Sequence, residues 1–148
     1  MLPDYVVASE RADISGYGIV FIPVCTMLPA SMVSKIRAYV NGGGTAVAIA
    51  RLNMVDPLGG SYRKDPYPAG LVDVFGLEIS EQRAFPWKDY ALDRIEPRTC
   101  RVLRRMGGTA FKGEPDLTVN AFGRGKAYYK ASLSKDEKMD DLLEAVMK

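Results

Sequence analysis

Two short runs of uninterrupted apolar residues, Ile19-Val20-Phe21-Ile22 and Thr45-Ala46-Val47-Ala48-Ile49-Ala50, bracket one stretch of helical periodicity, and that arrangement leaves few folds open. A strand covered on one face alternates apolar and polar residues, whereas a strand covered on both faces reads as a continuous apolar run. Between the runs, Met32, Val33, Ile36, Tyr39 and Val40 recur at the spacing of an amphipathic helix, and Asn41-Gly42-Gly43-Gly44 supplies residues that tolerate the left-handed conformation at a helix end. Strand, helix, strand with short links is the signature of a right-handed parallel crossover. The chain is therefore expected to be an α/β domain with a mostly parallel sheet.

Tyr5-Val6-Val7-Ala8 reads as a further short strand. From Arg51 to Pro68 the chain is rich in Gly, Pro, Asp and Tyr and has no period, as in a long loop over the end of the sheet. Pro68 to Phe75 predicts a helix closed by Gly76, followed by a strand at Leu77-Glu78-Ile79, while Glu81 to Pro97, with Trp87, is aperiodic. Arg101 to Met106, Leu117 to Ala121 and Lys126 to Ala131 read as short strands, the last two joined by Phe122-Gly123-Arg124-Gly125 as a hairpin turn. They predict a C-terminal antiparallel extension. A last helix places Met139, Leu142, Leu143, Val146 and Met147 on one face, with Ser134 as N-cap and Asp136 and Glu137 in the first turn. No repeat or linker divides the 148 residues, so a single domain over 1–148 is expected.

A chain of this length can bury about two-thirds of its unfolded surface without a metal or disulfide. Twenty Lys and Arg stand against eighteen Asp and Glu with the signs interleaved, which points to neither a nucleic-acid nor a membrane partner. The densest basic run, Arg98, Arg101, Arg104 and Arg105, has no aromatic platform between its cations and reads as a solvated face. Cys25 and Cys100 are too few and too far apart for a disulfide framework or a zinc site, which favours a reducing, cytoplasmic setting. The first residues lack the pattern of a signal peptide, and no apolar run approaches the ~18 residues of a membrane span.

The chain contains no histidine, which removes Ser-His-Asp and Cys-His-Asn machinery and most zinc sites. Cys25 follows a buried strand at the sheet's carboxyl end, where α/β folds present ligand-binding residues. It reads as a structural thiol or as a nucleophile, and no base partner is evident. Gly42-Gly43-Gly44-Thr45 ends a helix and starts a strand, the reverse of a phosphate cradle, and Gly123-Arg124-Gly125-Lys126 fits a hairpin. The acidic pairs Glu78 and Glu81, Asp56 and Asp65, or Asp93 and Glu96 have no spacing that marks a glycosidase pair. No cofactor is implied.

The ordered segments Ala12-Asp13-Ile14-Ser15-Gly16-Tyr17, Ile36-Arg37-Ala38-Tyr39-Val40-Asn41-Gly42-Gly43-Gly44-Thr45, Asn53-Met54-Val55-Asp56, Tyr67 to Leu77 and Asn120 to Tyr129 together resemble the trimerisation domain of family-42 glycoside hydrolases, the β-galactosidases. The resemblance implies a three-layer, flavodoxin-like fold of the class I glutamine amidotransferase type, placed after a catalytic barrel and doing no chemistry. Its amidotransferase relatives carry a nucleophilic Cys in the turn after a core strand; here that turn is Arg51-Leu52-Asn53, and Arg51 could receive an anion or a partner's carboxylate. Family domains begin with one more strand and helix, so the chain is expected to be a fragment or a free-standing relative. The strand at Tyr5 is then expected to pair with that at Ile19, or another chain to cover the edge. The expected function is non-catalytic oligomerisation, as a homo-oligomer (dimer or trimer) or against the parent barrel. The alternatives are a free-standing amidotransferase-like or peptidase-like enzyme using Cys25, and a carbohydrate-binding module using Trp87, Tyr62, Tyr67 and Tyr90.

Overall fold

The computed structural model describes residues 9, 11–85, 90–108, 111–134 and 139–147. Ile19–Ile22 forms β1, Ala30–Asn41 forms α1 and Thr45–Ile49 forms β2. A loop leads to a short helix α2 (Val72–Phe75), which starts four residues later than Pro68. Then come β3 (Leu77–Phe85), β4 (Tyr90–Pro97), β5 (Arg101–Arg105), β6 (Pro115–Phe122), β7 (Gly125–Lys130), β8 (Ser132–Ser134) and α3 (Met139–Met147). Ser134, expected to cap the last helix, is the final residue of β8, and Asp136 and Glu137 lie outside the described residues.

The strands form a five-stranded sheet of order β1-β2-β7-β6-β5 and a three-stranded sheet of order β3-β4-β8. β1 and β2 are parallel, as are β2 and β7, whereas β7 and β6, and β6 and β5, are antiparallel. The expectation of a mostly parallel sheet is thus corrected to a mixed one. A helical crossover carries the chain from β1 to β2 in the same direction, but the tight turn between β6 and β7 can only reverse it. The antiparallel half is the extension expected from the C-terminal strands. Among the described residues β1 is the last strand on its side of the sheet, and Tyr5–Ala8, expected to pair there, lies outside them.

The aperiodic stretch Glu81–Pro97 is a second correction: most of it is strand. β3 and β4 pair antiparallel from Leu77 opposite Pro97 to Phe85 opposite Tyr90, with an irregularity between Ile79 and Glu81; residues 86–89 lie outside the described set. An irregularity of that kind shifts the alternation of apolar and polar residues by one position and hides the period of two. In β4 the consecutive residues Ala91, Leu92 and Asp93 are all buried, so that strand does not alternate at all.

β2 shows why its sequence is apolar throughout. Ala46 and Ala48 pack in a cluster with Met32, Ile36 and Val40 of α1 and with Val74 and Phe75 of α2. Val47 and Ile49 pack instead with Leu142 and Val146 of α3. Helices therefore cover both faces of the sheet at β2.

The two glycine-rich turns meet each other. Arg124 N–H donates to the Asn41 carbonyl at 3.1 Å and Lys126 N–H to the Gly44 carbonyl at 3.2 Å. A methyl group on Gly125 would overlap the carbonyl oxygens of Val40 and Gly44, and one on Gly44 would overlap the Tyr39 ring. That ring is fixed by its hydroxyl, which donates to the Tyr17 carbonyl at 2.8 Å and accepts from Thr45 N–H at 3.2 Å. Gly125→Ala and Gly44→Ala are each expected to cost about 1–3 kcal/mol in urea unfolding, as overpacking does. Gly107→Ala, with nothing within 4 Å of the added methyl, is expected to stay within about 0.5 kcal/mol of the parent; equal midpoints for all three variants would contradict the turn contact.

Candidate functional site

β2 ends at Ile49, and the chain turns at Arg51 with φ 68° and at Asn53 with φ 44°. Both lie in the left-handed region, which costs a side-chain-bearing residue roughly 1–2 kcal/mol, less for Asn. The turn persists because its neighbours hold it. Arg51 N–H donates to Asp93 Oδ2 at 2.6 Å, and the Tyr129 hydroxyl donates to the same oxygen at 2.5 Å. Asp93 comes from β4 of the small sheet and Tyr129 from β7 of the large one, so one carboxyl group joins the turn to both sheets.

Asp93 is 0% exposed, and its Oδ1 has no hydrogen-bond partner among the described residues. Burial pushes its carboxyl up to about 6, against the lowering effects of the Tyr129 hydroxyl, Arg51 N–H and the Arg51 charge. Burial, and then the charge of Asp93, push the Tyr129 phenol well above its ordinary value, so it remains the donor. Sequence reasoning missed this pair, weighing Asp93 only beside Glu96. The available signal was an acid set in the apolar run of Ala91, Leu92 and Ile95.

Asn53 is buried, and both ends of its amide are engaged: Oδ1 accepts from Leu28 N–H at 3.0 Å and Nδ2 donates to the Ala69 carbonyl at 2.8 Å. Its backbone N–H donates to the Cys25 carbonyl at 2.8 Å. Cys25 and Asn53 are thus brought together through the main chain, while Arg51 contributes its backbone to Asp93. The Cys25 thiol is half-buried and donates to the Met27 carbonyl at 3.2 Å. Burial raises its pKa, and the Met27 hydrogen bond only partly offsets this, the opposite of what activates a cysteine nucleophile.

Several of the other sequence candidates are engaged in ion pairs. Arg98 meets Glu78 at 3.0 Å and Glu96 at 3.7 Å, Glu81 pairs with Arg83, and Arg104 meets Asp116 at 2.9 Å. Two of the four arginines of the basic run, Arg98 and Arg104, are thus paired with acids, while Arg105 donates to the Gly113 carbonyl at 2.9 Å. Asp116 also accepts from Lys130 Nζ at 2.8 Å and from Ser132 Oγ at 2.6 Å; burial alone would raise its pKa, but these groups and Arg104 hold it below the ordinary value. Tyr67 donates to the Arg63 carbonyl at 2.7 Å and Tyr62 is exposed, while Trp87 and the side chain of Tyr90 lie outside the described residues. No helix among the described residues is long and apolar enough to cross a membrane.

The chain is thus a mixed α/β domain whose turn after β2 is closed by a hydrogen-bonded arginine backbone. The family model for the β-galactosidase trimerisation domain matches residues 4–148, and the chain belongs to that family. It is 29% identical over 131 residues to the β-galactosidase LacA of Lactobacillus acidophilus, covering 79% of this chain and 20% of that one. It is 28% identical over 159 residues to the β-galactosidase BgaP of a Planococcus species, covering 90% and 23%. The chain thus spans about a fifth of the length of these relatives. Among solved structures, the β-galactosidase of Bacillus circulans sp. alkalophilus superposes with a TM-score of 0.76 at 27% identity, over 93% of this chain and 23% of that one. The β-galactosidase of the haloarchaeon Halorubrum lacusprofundi superposes with a TM-score of 0.81 at 18% identity, over 93% and 23%, a likeness of fold.

The raised Asp93 pKa sets the sign of a pH effect. Between about pH 6 and the ordinary carboxylate value of 3.8 the folded chain binds a proton that the unfolded chain does not. This group therefore adds stability as pH falls through 6, up to about 3 kcal/mol below pH 4, while the lowered Asp116 works in the opposite sense. Urea unfolding of the parent and Asp93→Asn at several pH values separates the two: the parent is expected to gain on the variant as pH drops from 7 to 4.5. A constant difference would show that Asp93 does not carry the shift.

Proposed function

We propose that this chain is a non-catalytic oligomerisation domain of a β-galactosidase-like glycoside hydrolase, a single domain over 1–148 that assembles copies of its parent protein. Family membership supports the assembly role. The observation that carries the absence of chemistry is the turn after β2. In an amidotransferase-like ancestor of flavodoxin-like fold this turn would bear the nucleophile; here it bears Arg51, with its N–H on the buried carboxyl of Asp93. The N–H held that way maintains the backbone conformation, and Arg51, Leu52 and Asn53 place no thiol or hydroxyl at the turn. The partner is a second or third copy of the chain or the barrel of the same enzyme, in the cytoplasm, with hydrolysis of β-galactosides carried out elsewhere in the parent protein.

Sedimentation equilibrium tests the homo-oligomer form of the reading: the average mass should rise with concentration toward a dimer or trimer, and a monomer mass at every concentration would refute it. Alkylation kinetics provide a second test. With its thiol pKa raised by burial, Cys25 in the Cys100→Ala variant is expected to react more slowly with iodoacetamide at neutral pH than a free peptide cysteine. A faster reaction would restore a nucleophilic role.

A further inference from the structure

The carboxyl group of Asp93 holds its partners through one oxygen. Oδ2 accepts from Arg51 N–H at 2.6 Å and from the Tyr129 hydroxyl at 2.5 Å, while Oδ1 is buried and has no partner among the described residues. A backbone N–H can only donate, and burial keeps the Tyr129 phenol protonated, so it donates as well. Both lone pairs of Oδ2 are thus taken, and a proton arriving on Asp93 has to sit on Oδ1. The neutral acid then keeps both hydrogen bonds but loses the charge that strengthens them, and a bond to an ionised acceptor is roughly twice as strong as one to a neutral acceptor.

The bond to Arg51 is the one under load. Arg51 and Asn53, at φ 68° and 44°, occupy a region that a residue with a side chain keeps only where its surroundings hold it. The amide of Asn53 in turn clamps Leu28 N–H and the Ala69 carbonyl, and its N–H donates to the Cys25 carbonyl. A change at Arg51 therefore reaches the loops that follow β1 and β2.

The charged surroundings are simple. Tyr129 of β7 and Arg51 of the turn are the ionisable side chains that act on Asp93. Across the small sheet Asp93 stands opposite the uncharged Gln82 of β3, and beyond Ala131 the ammonium of Lys130 is paired with Asp116 at 2.8 Å. No second carboxylate acts on Asp93 to share its proton.

Opening of the turn and unfolding of the domain then respond to acid with opposite signs. Burial lifts the carboxyl to about 6, and the hydrogen bonds from Tyr129 and from Arg51 N–H pull against that rise. When the turn lets go and Asp93 stays between the sheets, one of those opposing bonds is lost and the carboxyl binds a proton more tightly, so opening takes up protons and acid favours it. Complete unfolding returns the group to 3.8 and releases the proton, so acid opposes it.

We propose that Asp93 is a proton-operated latch: a proton taken up on Oδ1 loosens the turn at Arg51, and with it the loops that Asn53 clamps, while the two sheets stay joined. Native-state amide exchange of the parent, Asp93→Asn and Tyr129→Phe between pH 7 and pH 5, expressed as protection relative to an unstructured chain, tests it. Arg51 protection in the parent is expected to fall about 5-fold, the factor separating a hydrogen bond to a charged group from one to a neutral group, with a midpoint near pH 6, while the amides of β6 and β7 lose none. Asp93→Asn keeps an acceptor oxygen and cannot ionise, so its Arg51 protection should be the same at both pH values. Tyr129→Phe removes a donor that holds the carboxyl down, and should move the midpoint to higher pH. Equal Arg51 protection in the parent at pH 7 and pH 5, a fall shared by β6 and β7, the same fall in Asp93→Asn, or an unmoved midpoint in Tyr129→Phe would overturn the latch.

Discussion

The carboxyl group of Asp93 is the interaction on which the arrangement of this domain turns. It leaves β4 of the small sheet, accepts from the phenol of Tyr129 in the large sheet, and accepts from the N–H of Arg51, holding the turn after β2 in a left-handed conformation. Main-chain bonds reinforce the same junction: Asp93 N–H donates to the Ala131 carbonyl at 2.8 Å and Ala131 N–H to the Asp116 carbonyl at 2.7 Å. The chain crosses from one sheet to the other at Ala131, between β7 and β8. A buried acid is costly by itself; among the described residues Asp93 Oδ1 has no partner, while the two hydrogen bonds accepted by Oδ2 offset part of the cost.

That junction explains how a left-handed turn at a strand end is held in place. The backbone of the turn is needed because Asn53, two residues on, clamps the loops around Leu28 and Ala69, and those loops carry the exposed apolar residues Val24, Met27, Leu58 and Tyr62. The turn is thus held by one buried carboxyl group and in its turn holds the loops on either side of it.

The elements that could be read from sequence were those whose residues meet apolar surroundings on a regular period. β1, α1, β2 and the β6–β7 hairpin fall where continuous runs, helical spacing and paired glycines place them. The β3–β4 pair did not show because an irregularity after Ile79 shifts its alternation and β4 buries consecutive residues. The share of parallel pairing was overestimated because strand direction depends on connections, which residue type does not record. Arg51 and Asn53 were legible as the residues of a turn, but Asp93 and Tyr129 were not: they lie 36 residues apart and meet only where the two sheets touch.

If the carboxyl group of Asp93 holds the turn after β2 and ties it to both sheets, removing that group loosens the turn before the rest of the large sheet. Native-state amide hydrogen exchange of the parent and Asp93→Ala addresses that directly. Faster exchange is expected in the variant at the amides of Arg51 and Asn53, with the β6–β7 amides close to the parent. Equal exchange at Arg51 and Asn53 in the two proteins would contradict it.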